Sequence, residues 1–168
     1  MKNKVLIVGR PNVGKSTLFN RIVGRRKSIV YGIPGVTRDI IESEASWKDK
    51  KFIVADTGGI FERGDEMSEK VEKQVKKALS EAQVILFVTD GREGITAGDE
   101  YIARMLHPYK EKVFLVVNKI DNEKLQKNVY DFYSLGFERV FSVSAQHGVG
   151  VAELLDALHS FLTDEPIK

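Results

Sequence analysis

The segment Gly9-Arg10-Pro11-Asn12-Val13-Gly14-Lys15-Ser16 has the spacing G-x-x-x-x-G-K-[ST]. That spacing suits the holding of a chain of phosphates. Gly9 and Gly14 let the backbone wrap so that successive amides point inward at phosphate oxygens. A helix starting near Lys15 adds its positive end. Lys15 reaches the outer phosphates and the Ser16 hydroxyl ligates magnesium, with Val13 and Thr17 as further nucleotide-binding positions. Arg10 reads as a solvated turn residue. Asn12 reads from its position as a loop residue tied to its own backbone.

Asp56 closes the apolar run Phe52-Ile53-Val54-Ala55. A carboxylate at the rim of a buried strand is costly unless a cation faces it, and beside a phosphate loop that cation is magnesium. Asp56-Thr57-Gly58-Gly59 is an Asp-x-x-Gly unit in which Gly59 can present a bare amide to a terminal phosphate. Thr37, in Pro34-Gly35-Val36-Thr37-Arg38-Asp39, can add its hydroxyl to the magnesium shell when that phosphate is present. It would order its loop in one nucleotide state only. Asn118-Lys119-Ile120-Asp121 follows another apolar run. The Asp121 carboxylate can accept the ring N–H and the exocyclic amino group of guanine, a donor pair that adenine lacks. Asn118 can tie the base to the phosphate loop, and the Lys119 stem can lie over the purine. Ser144-Ala145-Gln146 can offer a backbone N–H to the guanine oxygen. The catalytic candidates are Lys15, Thr37, Gly59 and Asn12.

These residues need a frame, and the apolar pattern describes one. Val5–Val8, Phe52–Ala55, Val84–Val88, Val113–Val117 and Val140–Val143 are short apolar runs, as strands buried on both faces require. Ile41, Ser43, Ala45 and Trp47 share one parity, and Lys48-Asp49-Lys50-Lys51 reads as the hairpin turn to the next strand. Helical stripes lie between the runs: Leu18/Phe19/Ile22/Val23; Met67/Val71/Val75/Leu79/Ala82; Ile102/Met105/Leu106 behind a Thr96 cap; Leu125/Val129/Phe132/Tyr133; and Val151/Leu154/Leu155/Leu158/Leu162. Residues 28–37 read as a loop. The expected fold is α/β, a six-stranded, mostly parallel sheet with one antiparallel strand and helices on both faces. In such sheets ligands bind beyond the carboxyl ends of the strands, where the motifs fall.

The 168 residues suit one domain, expected over 1–162, with 163–168 as the start of a linker. The 26 Lys+Arg balance 24 Asp+Glu to leave +2, which excludes attachment to nucleic acid by bulk charge alone. The absence of cysteine excludes a disulfide framework, a thiolate zinc site and a thiol nucleophile. No apolar run approaches ~18 residues, so no membrane span is expected, and no secretory signal is read at the N-terminus; a cytoplasmic location is expected. His107, His147 and His159 form no metal-ligand spacing; His159 reads as solvated and His147 as a loop spacer. Tyr130, Phe132 and Tyr133 read as packing residues rather than a nucleic-acid platform.

The order of the motifs resembles that of translation-factor-class small GTPases over essentially the whole chain. More narrowly, the phosphate loop, Pro34–Asp39, Asp56–Gly59, Leu135-Gly136-Phe137 and Ser144-Ala145-Gln146-His147-Gly148 resemble the first of two tandem G domains in the Der/EngA group of bacterial ribosome-assembly GTPases. The resemblance implies a P-loop NTPase G domain that binds GTP and GDP with Mg2+ and hydrolyses GTP. It also implies a second G domain and a KH-like RNA-contacting domain outside these residues, and a role in maturation of the large ribosomal subunit. Many relatives place Gln after the Asp-x-x-Gly. Here Ile60 stands there and cannot orient water. GTPases resembling this one can use K+ in place of an arginine finger, with Asn12 and first-switch carbonyls as its ligands. Slow, potassium-stimulated hydrolysis is therefore expected; the alternatives are a GTP/GDP switch module with negligible turnover, and a phosphate-loop kinase, which the guanine motif disfavours.

Overall fold

A computed structural model of the chain describes residues 3–24, 28–32, 39–58 and 69–164. The elements run β1 (Lys4–Gly9), α1 (Lys15–Val23), β2 (Ser28–Gly32), β3 (Asp39–Trp47), β4 (Lys50–Asp56), α2 (Glu69–Glu81), β5 (Val84–Asp90), α3 (Ala97–Leu106), β6 (Val113–Asn118), α4 (Glu123–Gln126), β7 (Arg139–Ser142) and α5 (Val151–His159). Stretches of 3-10 helix cover His107–Lys112 and Lys127–Leu135.

The strands form one sheet in the order β2-β3-β4-β1-β5-β6-β7. β1 pairs in parallel with β4 and β5, and β5-β6-β7 continue in parallel, while β3 is antiparallel to both β4 and β2. Among the described residues β3 alone runs against the rest, as expected. The six expected strands are joined by a seventh, β2, at residues expected to be loop. Its Ile-Val-Tyr run is short and followed by glycine and proline, so it carries little local signal. Antiparallel backbone pairing with β3, the next strand along the chain, makes it a strand.

Successive β1 side chains face opposite sides of the sheet, and each side has its own core. Val5 and Ile7 pack with Leu18, Phe19 and Ile22 of α1 and Leu154 and Leu158 of α5. Leu6 and Val8 pack with Val75 and Leu79 of α2, Ile102 and Leu106 of α3, and Val129 and Phe132. The stripe through Leu125 and Phe132 does not continue as α-helix. At three residues per turn the 3-10 segment keeps Val129 and Phe132 inward. Tyr130 and Tyr133 are instead 74% and 51% exposed, against the expectation that they pack.

The β3–β4 turn grips α5. Trp47 Nε1 donates to Asp156 at 2.7 Å, Asp49 meets His159 Nε2 at 2.6 Å, and Lys50 Nζ donates to the carbonyls of His159 and Leu162. His159 is therefore paired rather than solvated. That bond, its main contact with Asp49, holds the Asp49 carboxyl below its ordinary pKa. Thr163 exchanges hydrogen bonds with the Asn3 side chain, so the chain is still fastened there. No helix among the described residues is long and apolar enough to cross a membrane.

Phe114, fully buried in β6, stacks on Phe141 at 5.7 Å and meets Phe161 edge-on at 5.1 Å. Phe114→Ala is expected to cost about 3–5 kcal/mol, measured by equilibrium urea unfolding.

Candidate functional site

The strand order reverses at β1, with the chain returning to β4 on one side and β5 on the other. A crevice opens at such a switch point beyond the strand ends. The phosphate loop follows β1 directly, and Asp56, Asp90 and Asn118 close β4, β5 and β6 at the same rim. Gly14 heads α1 at φ 103, where a Cβ would also overlap Asn118 Nδ2. α1 stops at Gly24, whose N–H bonds Asn20 O at 2.9 Å.

Two adjoining cavities occupy the rim. One of about 410 Å3 is lined by Asn12, Gly14, Lys15, Ser16, Thr17, Asp56, Gly58 and Lys119, among others. In it Lys15 Nζ donates to Gly9 O at 2.8 Å and Arg10 O at 2.5 Å. Ser16 Oγ donates to Asp56 Oδ2 at 3.3 Å, and Asp56 Oδ1 accepts the Gly58 N–H at 3.0 Å. A hydroxyl and a carboxylate this close fit a small hard cation sharing phosphate oxygens. Among the described residues no cluster of three His, Cys, Asp or Glu side chains provides a metal site without such a ligand. Asn12 is exposed on the cavity at φ 66, a left-handed conformation that asparagine tolerates. Thr37, Gly59 and Ile60 lie outside the described residues.

The second cavity, about 280 Å3, is lined by Gly14, Thr17, Arg92, Asn118, Lys119, Asp121, Ser144 and Gln146. Asn118 Nδ2 donates to Val13 O at 2.9 Å, and its Oδ1 accepts the Ala145 N–H at 2.9 Å. Asp121 Oδ1 accepts the Ser144 hydroxyl at 2.7 Å. Lys119 Nζ donates to Asn12 O at 2.7 Å and to Asp90 Oδ2 at 3.0 Å. His147 is 4.0 Å from Asp121 and over half exposed, at the margin of this group.

Arg10 departs from the expectation of a solvated turn residue. Its Nε donates to Asp99 Oδ1 at 3.0 Å and its Nη2 to Glu93 at 3.1 Å; Asp99 is fully buried. Burial opposes the guanidinium charge, but the two carboxylates outweigh it and hold the Arg10 pKa above its ordinary value. Asp99 also accepts from the Thr96 N–H and hydroxyl, closing the capping box of α3. One carboxylate thus joins the phosphate loop to a helix start. Arg10 escaped sequence reasoning because its partner lies 89 residues away. Asp90 was overlooked too, although its place after β5 matches that of Asp56 after β4. Burial pushes its carboxyl upward, but the Lys119 bond and the N–H groups of Arg92 and Glu93 hold it below its ordinary value. Arg21 is a further addition, bonding the carbonyls of Ala145 and Gln146 at 2.7 and 2.5 Å.

Arg10→Ala strands Asp99, which keeps only its Thr96 bonds. The expected loss is near the lower end of about 3–5 kcal/mol, read by urea unfolding. The depressed Asp90 carboxyl contributes stability that is present above its unfolded pKa, near 3.8, and lost as pH falls through the lower folded value. Asp90→Asn is therefore expected to reduce stability at pH 7 and to flatten its decline in that acid range, measured by unfolding across pH.

A family model described as 50S ribosome-binding GTPase matches residues 4–119. The chain is 56% identical over 169 residues to the GTPase Der of Aquifex aeolicus, covering 100% of this chain and 39% of that protein. It is 48% identical over 164 residues to the GTPase Der of Listeria monocytogenes, covering 98% of this chain and 38% of the relative. It thus spans about two-fifths of the length of these curated relatives. Among solved structures, the G domain of the T. maritima FeoB iron transporter superposes with a TM-score of 0.73 at 26% identity, covering 96% of this chain and 99% of that one. The cytosolic domain of the same transporter in its GMPPNP form gives a TM-score of 0.70 at 26% identity, over 94% of this chain and 63% of that one. With its phosphate loop and base-side loops joined at one rim, the chain belongs to the 50S ribosome-binding GTPase family.

Proposed function

We propose that this domain binds GTP and GDP at the rim cavities and hydrolyses GTP to GDP and phosphate. The observation that carries the reading is the adjacency of the two cavities, which share Gly14, Thr17 and Lys119 as lining residues. A purine beside Asp121 would place its phosphates over the helix start at Lys15. Asp121 Oδ1 already accepts from Ser144, a bond that would steady the carboxylate as it received the two guanine donors.

Ser16 and Asp56 would hold Mg2+, with Thr37 completing the shell in the triphosphate state. The ion's chemistry is neutralisation of charge between the outer phosphates. Lys15 would exchange its carbonyl partners for phosphate oxygens, and the Gly59 amide would face the terminal phosphate. Asn12 would offer its side-chain oxygen to K+, for which its exposure on the phosphate cavity speaks. Residues 1–162 would form the G domain and 163–168 lead into neighbouring domains of a longer cytoplasmic protein. Contact with the large ribosomal subunit or its RNA would come through those domains, a reading supported by the description of the matching family as 50S ribosome-binding GTPase.

Titration with GDP, GTP and ATP tests the base reading, and tight ATP binding would sink it. Asp121→Asn removes two charge-assisted bonds and is expected to weaken GDP binding by about 10²–10⁴-fold. It should improve binding of XDP, whose C2 oxygen can accept from the new amide. Single-turnover hydrolysis is expected to run faster in potassium than in sodium at matched ionic strength, and Asn12→Ala to remove the difference. No turnover in either salt would leave a binding switch rather than a hydrolase.

A further inference from the structure

The geometry points to Arg21 as the positioning residue that aims the guanine-oxygen reader, acting from the helix that begins at the phosphate loop. This rests on the guanine reading above and names the residue behind one of its contacts.

The loop after β7 is closed on itself. Ser144 and Val149 exchange backbone hydrogen bonds at 2.9 and 3.1 Å, and left-handed Gly148 and Gly150 turn the chain. Inside this closure the Arg21 guanidinium takes two consecutive carbonyls, Ala145 O through Nε at 2.7 Å and Gln146 O through Nη2 at 2.5 Å. A fork of fixed shape holds both oxygens in one orientation, which a flexible ammonium does not.

No peptide bond in the described chain is cis, so each carbonyl and the N–H of the next residue point opposite ways. Two successive carbonyls turned toward Arg21 therefore leave two successive amides, those of Gln146 and His147, turned away from it. Consecutive amides on one side form a concavity that receives a partial negative charge. Of these two residues Gln146, and not His147, is among those that line the base cavity. The Ala145 amide is committed to Asn118 Oδ1 at 2.9 Å, which leaves the Gln146 amide as the donor for the guanine O6. Arg21 is exposed and adds little to folding, so its effect falls on base recognition.

The test compares wild type, Arg21→Ala and Arg21→Lys in equilibrium binding of GDP, IDP and 6-thio-GDP, with thermal unfolding of the nucleotide-free proteins alongside. IDP lacks the amino group that Asp121 reads, and 6-thio-GDP carries a weaker acceptor at position 6. Arg21→Ala is expected to keep its Tm and lose about tenfold in GDP affinity. Its 6-thio-GDP affinity should change little, so the preference for oxygen over sulfur collapses while the preference for GDP over IDP stays. Arg21→Lys should fall between. Unchanged GDP binding in Arg21→Ala, or a parallel fall for GDP and 6-thio-GDP, would overturn the assignment. A wild type without preference for GDP over IDP would overturn the Asp121 reading itself, and this inference with it.

Discussion

The side-chain amide of Asn118 is the bond on which the rim depends. It donates to Val13 O in the phosphate loop and accepts from Ala145 N in the loop after β7. It is itself buried at the end of β6. One rigid planar group thus sets the spacing between the two rim cavities proposed to hold the nucleotide. Gly14 lacks a Cβ at the point where that amide crosses the start of α1. Loss of either feature would leave polar groups in the interior unpaired, which is costly.

Around that link the cations share one habit. Lys15 bonds the carbonyls of Gly9 and Arg10, Lys119 that of Asn12, and Arg21 those of Ala145 and Gln146. Two loops at the rim, those after β1 and β7, thus have carbonyls turned to a cation. A trans peptide directs the N–H groups of Arg10, Val13, Gln146 and His147 away from those cations, whereas the Arg10 carbonyl is followed by Pro11, which has no N–H. Asp90 holds Lys119 in turn, and Glu93 and Asp99 hold Arg10 of the phosphate loop. The segment that carries them runs from β5 to α3. It braces the phosphate loop through Arg10 and the base-side loop through Lys119. The first core elements beneath this rim supply rigidity, with β1, β5 and β6 buried on both faces.

Much of the fold was legible because a strand buried on both faces must be apolar throughout. β1, β4, β5 and β6 stand where their apolar runs lie, and the Thr96 cap opens α3 as its sequence position indicates. β2 was not legible, since an edge strand is made by its neighbour. The 3-10 winding of Lys127–Leu135 was not legible either. Apolar residues at 125, 129, 132 and 133 fit an α-helix, yet a tighter winding turns Tyr133 outward. At the site, Lys15, Ser16, Asp56, Asn118, Asp121 and Ser144 could be read because each belongs to a short motif beside a strand end. Arg10, His159 and Arg21 could not be read, because their roles lie in partners far along the chain.

By itself the sequence determined the kinds of chemical group available and their order behind the strands: a glycine-rich turn with Lys15 and Ser16 after β1, a carboxylate closing β4 and an Asn-Lys-x-Asp quartet at the end of β6. These follow from local spacing, because backbone wrapping and strand ends are local properties. Tertiary structure decided which groups meet. It buried Asp99 against Arg10, tied Lys119 to Asp90, and brought Arg21 to carbonyls 124 and 125 residues away. Hydrogen bonds and ion pairs act over a few ångströms, and only the closing of the sheet brings such distant residues within that reach.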